Sequence, residues 1–255
     1  MEAIKNYYFR DMLVMFERSM RHIFRSMDTI MTVTISPIAI MLLFVFVLGG
    51  AIQIETDNYV NYLLPGILLM TIANGIGYVS YRLLLDKQRG IFERFHSMPI
   101  ARSAALWGHV LVSLVSNAAS VIVIIIIAFI MGFRSPAGVL SWLAVVGILG
   151  LFTLAMTWIA VIAGLSAKSA DSAGAFAFVI HLLPFISSAF VPTNTMPSAV
   201  RVFAENQPVT SIVNTIRALL NNQPAGSDIW VALAWCTGIM LVAYMFAIQA
   251  YKKRV

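Results

Sequence analysis

The sequence predicts an all-α integral membrane protein with six transmembrane helices, and three observations lead there. Hydrophobic residues make up 60% of the 255 positions and charged residues only 11%, against roughly 25% charged in a soluble domain. Six stretches without charge, 29–54, 58–81, 103–133, 135–167, 172–200 and 229–251, reach the length of about 20 apolar residues that a membrane helix needs. Lys and Arg then gather on one side of the six. The N-terminal segment, the connection after span two, Lys168 and the C-terminus hold 14 of the 17, and Arg134, Arg201 and Arg217 hold the rest. This bias puts both termini in the cytoplasm.

The formal charge of +6 follows from that placement, beside anionic lipid headgroups. No basic groove motif appears, so nucleic acid is not an expected partner. The one cysteine, Cys236, lies in an apolar run; it cannot form an internal disulfide and reads as small core filler. The first apolar run begins near Thr29 and is long enough to span, so no cleavable signal peptide is expected.

Residues 1–28 read as a cytoplasmic amphipathic interface helix and 29–255 as the transmembrane domain. Ile4, Tyr8, Met12, Met15, Phe16, Met20, Ile23 and Met27 share one helical face, and Arg10, Glu17, Arg18, Arg21 and Arg25 the other. Such a helix lies in the membrane interface. Its alternatives are a plain anchor and a partner-contacting elbow.

Span one (about 30–50) contains Pro37, which removes a backbone hydrogen bond and should kink it. A short acidic connection near Glu55–Asn61 follows. Span two (62–82) opens with Leu64-Pro65-Gly66 and carries Asn74, Gly75 and Gly77; small residues allow close packing in lipid. Asn74 reads as hydrogen-bonded within the bundle, with lining a path as the alternative.

The stretch Arg82–Arg102 concentrates charge between two apolar runs: Arg82, Asp86, Lys87, Arg89, Glu93, Arg94 and Arg102. Gly90 should end the helix of span two. Pro99 disfavours helix at Met98 and lets a new one start. A short helix of about two turns across the cytoplasmic mouth results, with Phe92 and Phe95 as anchors and Glu93 and Arg94 as charge contacts for a soluble partner. Arg82–Arg89 and Arg102 read as topology signals.

Span three (104–131) contains the β-branched run Val121–Ile127, tolerated in membrane helices. Span four (137–165) carries Trp142 near its end and Trp158 deeper, where it should pack. Ser166–Ser172 is a tight polar turn. Span five (173–190) holds His181 and Pro184; an intramembrane histidine is a functional candidate, and a neutral imidazole bonded to a carbonyl is the plain alternative. After it come two short helical patterns, 197–205 and 208–220, each with Pro in its first turn. Val209, Ile212, Val213, Ile216, Leu219 and Leu220 form one apolar face. These helices are too short to span and should dip into the outer leaflet and cap the bundle. Span six (229–250) has Trp230 and Tyr251 as interface anchors.

No Gly-rich phosphate loop with lysine occurs, so the chain has no nucleotide site of that kind. HExxH and CxxC are absent from the sequence. The six charge-free spans contain no acid, which weakens ion-driven transport. His22, His96, His109 and His181 sit in different segments, so no metal centre is expected. Ser187 and Ser188 follow His181 without a protease nucleophile motif. A membrane scaffold that recruits a soluble protein fits the charged loop as an alternative to transport.

Three passages go further: GIFERFHSMPIARSAALWGHVLVSLVSNA (90–118), GLSAKSADSAGAF (164–176) and SSAFVPTNTMPSAVRVFAENQPVTSIVNTIRALL (187–220). In this order and spacing they resemble the type-2 ATP-binding-cassette (ABC) membrane subunits, and within them the drug-resistance exporters of bacteria. The likeness covers essentially the whole chain. It implies a permease without its own ATPase site, working in a pair with a second copy or a paralogue, above two ABC ATPase subunits that hold ATP and Mg. It implies ATPase coupling at Gly90, Phe92, Glu93, Arg94, Phe95 and Met98. The outer gate would include Pro192, Pro197, Pro208, Ile212 and Ile216, with Asn74, His181 and Pro184 as path-lining candidates. The implied cargo is an amphiphilic drug, lipid or similar compound leaving a bacterial cytoplasm; a polysaccharide or other lipid-linked polymer is the alternative.

Overall fold

The computed structural model describes residues 27–49, 59–91 and 104–253, with Phe16, Glu17 and Met20 besides. Most of the expected interface helix, the connection 50–58 and the segment 92–103 lie outside the described residues. Every regular element among the described residues is a helix. Helix α1 spans Met27–Leu42 and continues as a π-helical turn, Leu43–Leu48. Then come α2 (Tyr59–Gln88), α3 (Ala104–Ile130), α4 (Val139–Ser166) and α5 (Ala170–Leu182). After α5 run a 3-10 turn, Leu183–Ile186, and the short α6 (Ser198–Asn206) and α7 (Pro208–Leu220). Helix α8 (Asp228–Lys253) closes the described chain.

Four of these helices, α2, α3, α4 and α8, are long and apolar enough to cross a membrane. Helix α1 with its π-turn and α5 with its 3-10 turn are shorter apolar helices. The predicted span 173–190 is therefore α-helical only as far as Leu182. The reason is Pro184, which cannot donate to the ladder and sits in the first turn of the 3-10 segment. The predicted short outer helices are both present; Pro208 is the first residue of α7, whereas Pro197 caps α6 from just outside it.

Helix α2 is the axis of the bundle. Leu63, Leu64, Ile67, Leu68, Leu69, Met70 and Ile72 are fully buried on it, and α1, α3, α4, α5 and α7 all pack against it. In lipid, helices are held together by close packing and hydrogen bonds rather than by hydrophobic drive, and α2 is packed through missing side chains. A Cβ on Gly66 would meet the Cβ of Ala189 at 2.6 Å, and one on Gly77 the Cβ of Ala177 at 3.0 Å. The space beside Gly75 is filled by the carboxamide of Asn117 from α3. Gly164 of α4 returns the contact, its face lying against Ser80 and Leu83 of α2.

Helix α8 lies outside this group, on α4 and α7. Trp158 is buried where expected, edge-on to Trp107 at 5.3 Å and to Tyr244 of α8 at 4.8 Å. Cys236 is buried in the core.

Candidate functional site

Helix α2 does not stop where the charges begin. It runs on to Gln88 and carries Arg82, Asp86 and Lys87 with it, stopping just short of Gly90, where the sequence places the end of the helix. The absence of charge marks membrane depth, while helix ends are set by local backbone chemistry. Here that is Gly90, whose φ of 65° and N–H to Lys87 O contact close the helix. Asp86 rides on this helix beyond the charge-free stretch and is buried.

At this end of the bundle Asp86 Oδ2 lies 3.1 Å from His109 Nε2 of α3. Lys87 Nζ donates to Leu165 O (3.0 Å) and Ala167 O (3.1 Å) at the end of α4. A polar seam continues inward between α2, α3 and α4. Ser113 Oγ and Thr157 Oγ1 are 2.8 Å apart, and Asn117 Nδ2 donates to Ser113 O at 2.8 Å. A small cavity of about 30 Å³ lies in the seam, lined by Gly75, Tyr78, Arg82, His109, Ser113 and Ser116 among others.

At the opposite end the chain is irregular from Leu183 to Pro197, apart from its 3-10 turns. Backbone that leaves a helix at membrane depth must find partners inside the protein, and α7 supplies them. Gln207 Nε2 donates to Ile186 O. Thr210 Oγ1 accepts from Ser188 N at 3.4 Å, and Asn214 Oδ1 accepts from Ser188 Oγ at 2.7 Å. Arg217 Nη2 donates to Ser188 O (2.7 Å) and Tyr62 O (3.2 Å), and Nη1 to Asn214 Oδ1 (3.1 Å). Its guanidinium stacks 3.8 Å from the centre of the Tyr62 ring, whose hydroxyl also donates to Ser188 O. Tyr62, Ser188, Asn214 and Arg217 thus tie α2, the end of α5 and α7 into one knot. Nearby, Asn61 on α2 bonds the backbone of Arg134 in both directions, donating from Nδ2 at 2.9 Å and accepting at Oδ1 from the Arg134 N–H at 3.2 Å. Glu205 on α6 is held below the usual carboxylate range, chiefly by the hydrogen bond from Arg201 at 2.7 Å.

The predicted residues distribute as follows. Gly90 is seen at the end of α2; Phe92, Glu93, Arg94, Phe95 and Met98 lie outside the described residues. Of the outer-gate set, Ile212 and Ile216 are wholly buried in the core as the inner face of α7, and Pro192, Pro197 and Pro208 start the short helical elements. Asn74 is not bonded as expected: its Nδ2 is buried without a hydrogen-bond partner among the described residues. His181 Nδ1 is likewise buried without such a partner. Its ring instead meets Phe185 at 6.1 Å, beside buried Pro184.

Sequence reasoning missed an aromatic stack that joins α1 to the end of α5. Phe185 stacks on Phe190 at 5.0 Å, and Phe190 on Phe44 at 4.6 Å. It also missed Lys87 and Arg217, because the carbonyls they serve are remote in sequence.

A bundle of spanning-length helices around a buried, glycine-notched axis is a multi-pass membrane protein. The chain belongs to the ABC-2 type transporter family, whose model matches residues 10–221. It is similar to the daunorubicin resistance ABC transporter permease protein DrrB1 of Streptomyces coeruleorubidus, 23% identical over 223 residues, covering 87% of this chain and 79% of the relative. It is also similar to the probable doxorubicin resistance ABC transporter permease protein DrrC of two Mycobacterium tuberculosis strains, CDC 1551 / Oshkosh and ATCC 25618 / H37Rv, 25% identical over 233 residues, covering 90% of this chain and 83% of each relative. The chain is a transmembrane subunit of an ABC transporter and not itself an enzyme; the ATPase is a separate subunit.

Proposed function

We propose that this chain is the membrane part of an ATP-driven exporter that moves an amphiphilic drug or similar lipophilic compound outward across a bacterial inner membrane. The match of residues 10–221 to the ABC-2 family carries this reading. The named roles of the relatives, daunorubicin and doxorubicin resistance, supply the cargo class. In this reading six spans cross the membrane, α1 and α5 with their irregular extensions being the two short ones, and both termini are cytoplasmic. The segment 90–98 meets the ATPase subunit through Phe92, Glu93, Arg94, Phe95 and Met98, two ATPase copies serving the pair of membrane subunits. The Arg217 end faces outward, with Pro192 through Ile216 as its gate. The exposed apolar faces of α1 (Phe46, Val47) and α5 (Phe178, Val179) are where a second copy, or a paralogue, joins to enclose the path past Asn74 and His181.

The test is reconstitution with the ATPase subunit in inverted vesicles. ATP should drive uptake of daunorubicin. Glu93→Ala with Arg94→Ala should cut both uptake and stimulated ATPase activity about tenfold, the effect of losing about 1.4 kcal/mol of contact energy. Vesicles in which the ATPase binds without ATP and no cargo moves would instead identify a scaffold. Uptake unchanged by the double substitution would remove the coupling assignment.

A further inference from the structure

Lys87 makes contacts that topology does not require. A cation near a span end biases orientation wherever its side chain points, yet Lys87 is half-buried and reaches the backbone of α4. It follows Asp86 directly, and adjacent residues leave a helix about 100° apart. Asp86 therefore fastens α2 to α3 at His109, while Lys87 fastens the same turn of α2 to α4.

The two carbonyls it holds belong to Leu165 in the last turn of α4 and to Ala167 just beyond it. Carbonyls at a helix C-terminus lack helical donors and carry the negative end of the dipole, so an ammonium suits them. Beside this contact, Leu84 of α2, Ala167 of the turn and Ala173 of α5 form a small buried cluster. Close by, a Cβ on Gly164 would meet Ser80 O at 2.7 Å and Leu83 Cβ at 2.9 Å, so α2 and α4 already touch backbone to backbone. Lys87 adds a polar tie from this end of α2 to the start of the 166–172 turn.

That turn is also where α5 begins. Ser169 caps α5, accepting from Ser172 N at 3.3 Å, and Ser172 Oγ accepts from Ser169 N at 3.2 Å. A displacement of the turn is thereby applied to the first turn of α5, the helix that carries His181 and leads to the Phe185–Phe190–Phe44 stack.

We propose that Lys87 is a positioning residue that hands movement of the 89–103 connection to the 166–172 turn, so that α5 moves with α2. The proposal rests on the reading of that connection as the ATPase contact. It adds a route to α5 that bypasses α3.

The experiment uses the full chain with its ATPase subunit in lipid discs, in a Cys236→Ala background. A single cysteine replaces exposed Arg89 in one protein and exposed Lys168 in another, each labelled with an environment-sensitive dye. Addition of ATP and Mg should change both signals. In Lys87→Met the signal at 89 should persist, while that at 168 and vesicle transport both fall about fivefold or more, within the usual range of coupling energies. Lys87→Arg, which can still donate to both carbonyls, should restore them. A signal at 168 that survives in Lys87→Met overturns the proposal. Equal loss at 89 and 168 with a lowered melting temperature makes Lys87 a structural cap only and overturns it too. A parent protein in which neither label responds to ATP overturns the reading of 89–103 as the ATPase contact, and the proposal with it.

Discussion

Arg217 and Lys87 solve the same problem at opposite ends of α2. Each brings a cation to backbone oxygens, and each is far in sequence from those it serves. Arg217 is the more demanding case, since its planar fork reaches Tyr62 O, Ser188 O and Asn214 Oδ1 at once. Lysine offers one ammonium on a flexible stem and cannot match that geometry. Arg217→Ala should therefore destabilise the detergent-solubilised protein by about 2 kcal/mol, the cost of leaving a buried acceptor unsatisfied, and Arg217→Lys should recover only part of it. Thermal unfolding of the purified variants checks both. Neither role was legible beforehand. Arg217 falls on the short helix 208–220 that the sequence predicts, but the sequence does not show that the irregular backbone after Pro184 lies beside it. Ile212 and Ile216 were legible, because a repeat of apolar residues on one helical face needs only local geometry.

At the scale of the element, α2 is the helix least able to change. Its glycines at 66, 75 and 77 are points of contact with neighbours. Gly75 is the tightest, since the Asn117 side chain already occupies the site a Cβ would take, and Asn117 is held there by its bond to Ser113 O. Gly75→Leu should cost about 1–3 kcal/mol through overpacking. The same change at Gly147 or Gly238, where a Cβ meets nothing within 4 Å, should leave stability nearly unaltered. A melting series on the three variants separates the two outcomes. Small residues in span two announced close packing in the sequence, but not the partners. Those depend on which helices surround α2, and apolar run length carries no such information. Run length did locate α3, α4 and α8 to within a few residues. The charge-free run stops at residue 81, whereas the helix continues through Arg82, Asp86 and Lys87 to Gln88.

For the molecule as a whole, the helices alternate so that Arg89 and Lys168 lie at one end and the 221–227 turn at the other. The bonds from Lys87 to Leu165 and Ala167 and from Ser135 to Leu220 fix these two groupings. With the cytoplasmic orientation proposed above, a membrane-impermeant maleimide should label Cys at 89 or 168 only in inverted vesicles, and Cys at exposed Gln223 only in right-side-out cells. Labelling of all three from one side would refute the topology. Orientation is set by charges outside the apolar layer, and these are visible without any knowledge of packing.

The π-helical turn Leu43–Leu48 has a bearing on how α1 tolerates change in length. A turn closed by i→i+5 bonds holds one residue more than an α-turn. Loss of a single residue there can be absorbed by reverting to α-helical pairing, with the flanking faces kept in phase. The same deletion in α2 would rotate everything beyond it by about 100° and carry Gly75 or Gly164's contact surface out of register. In this protein the helix that touches the aromatic stack through Phe44 has slack built into its winding, and the helix at the centre has none.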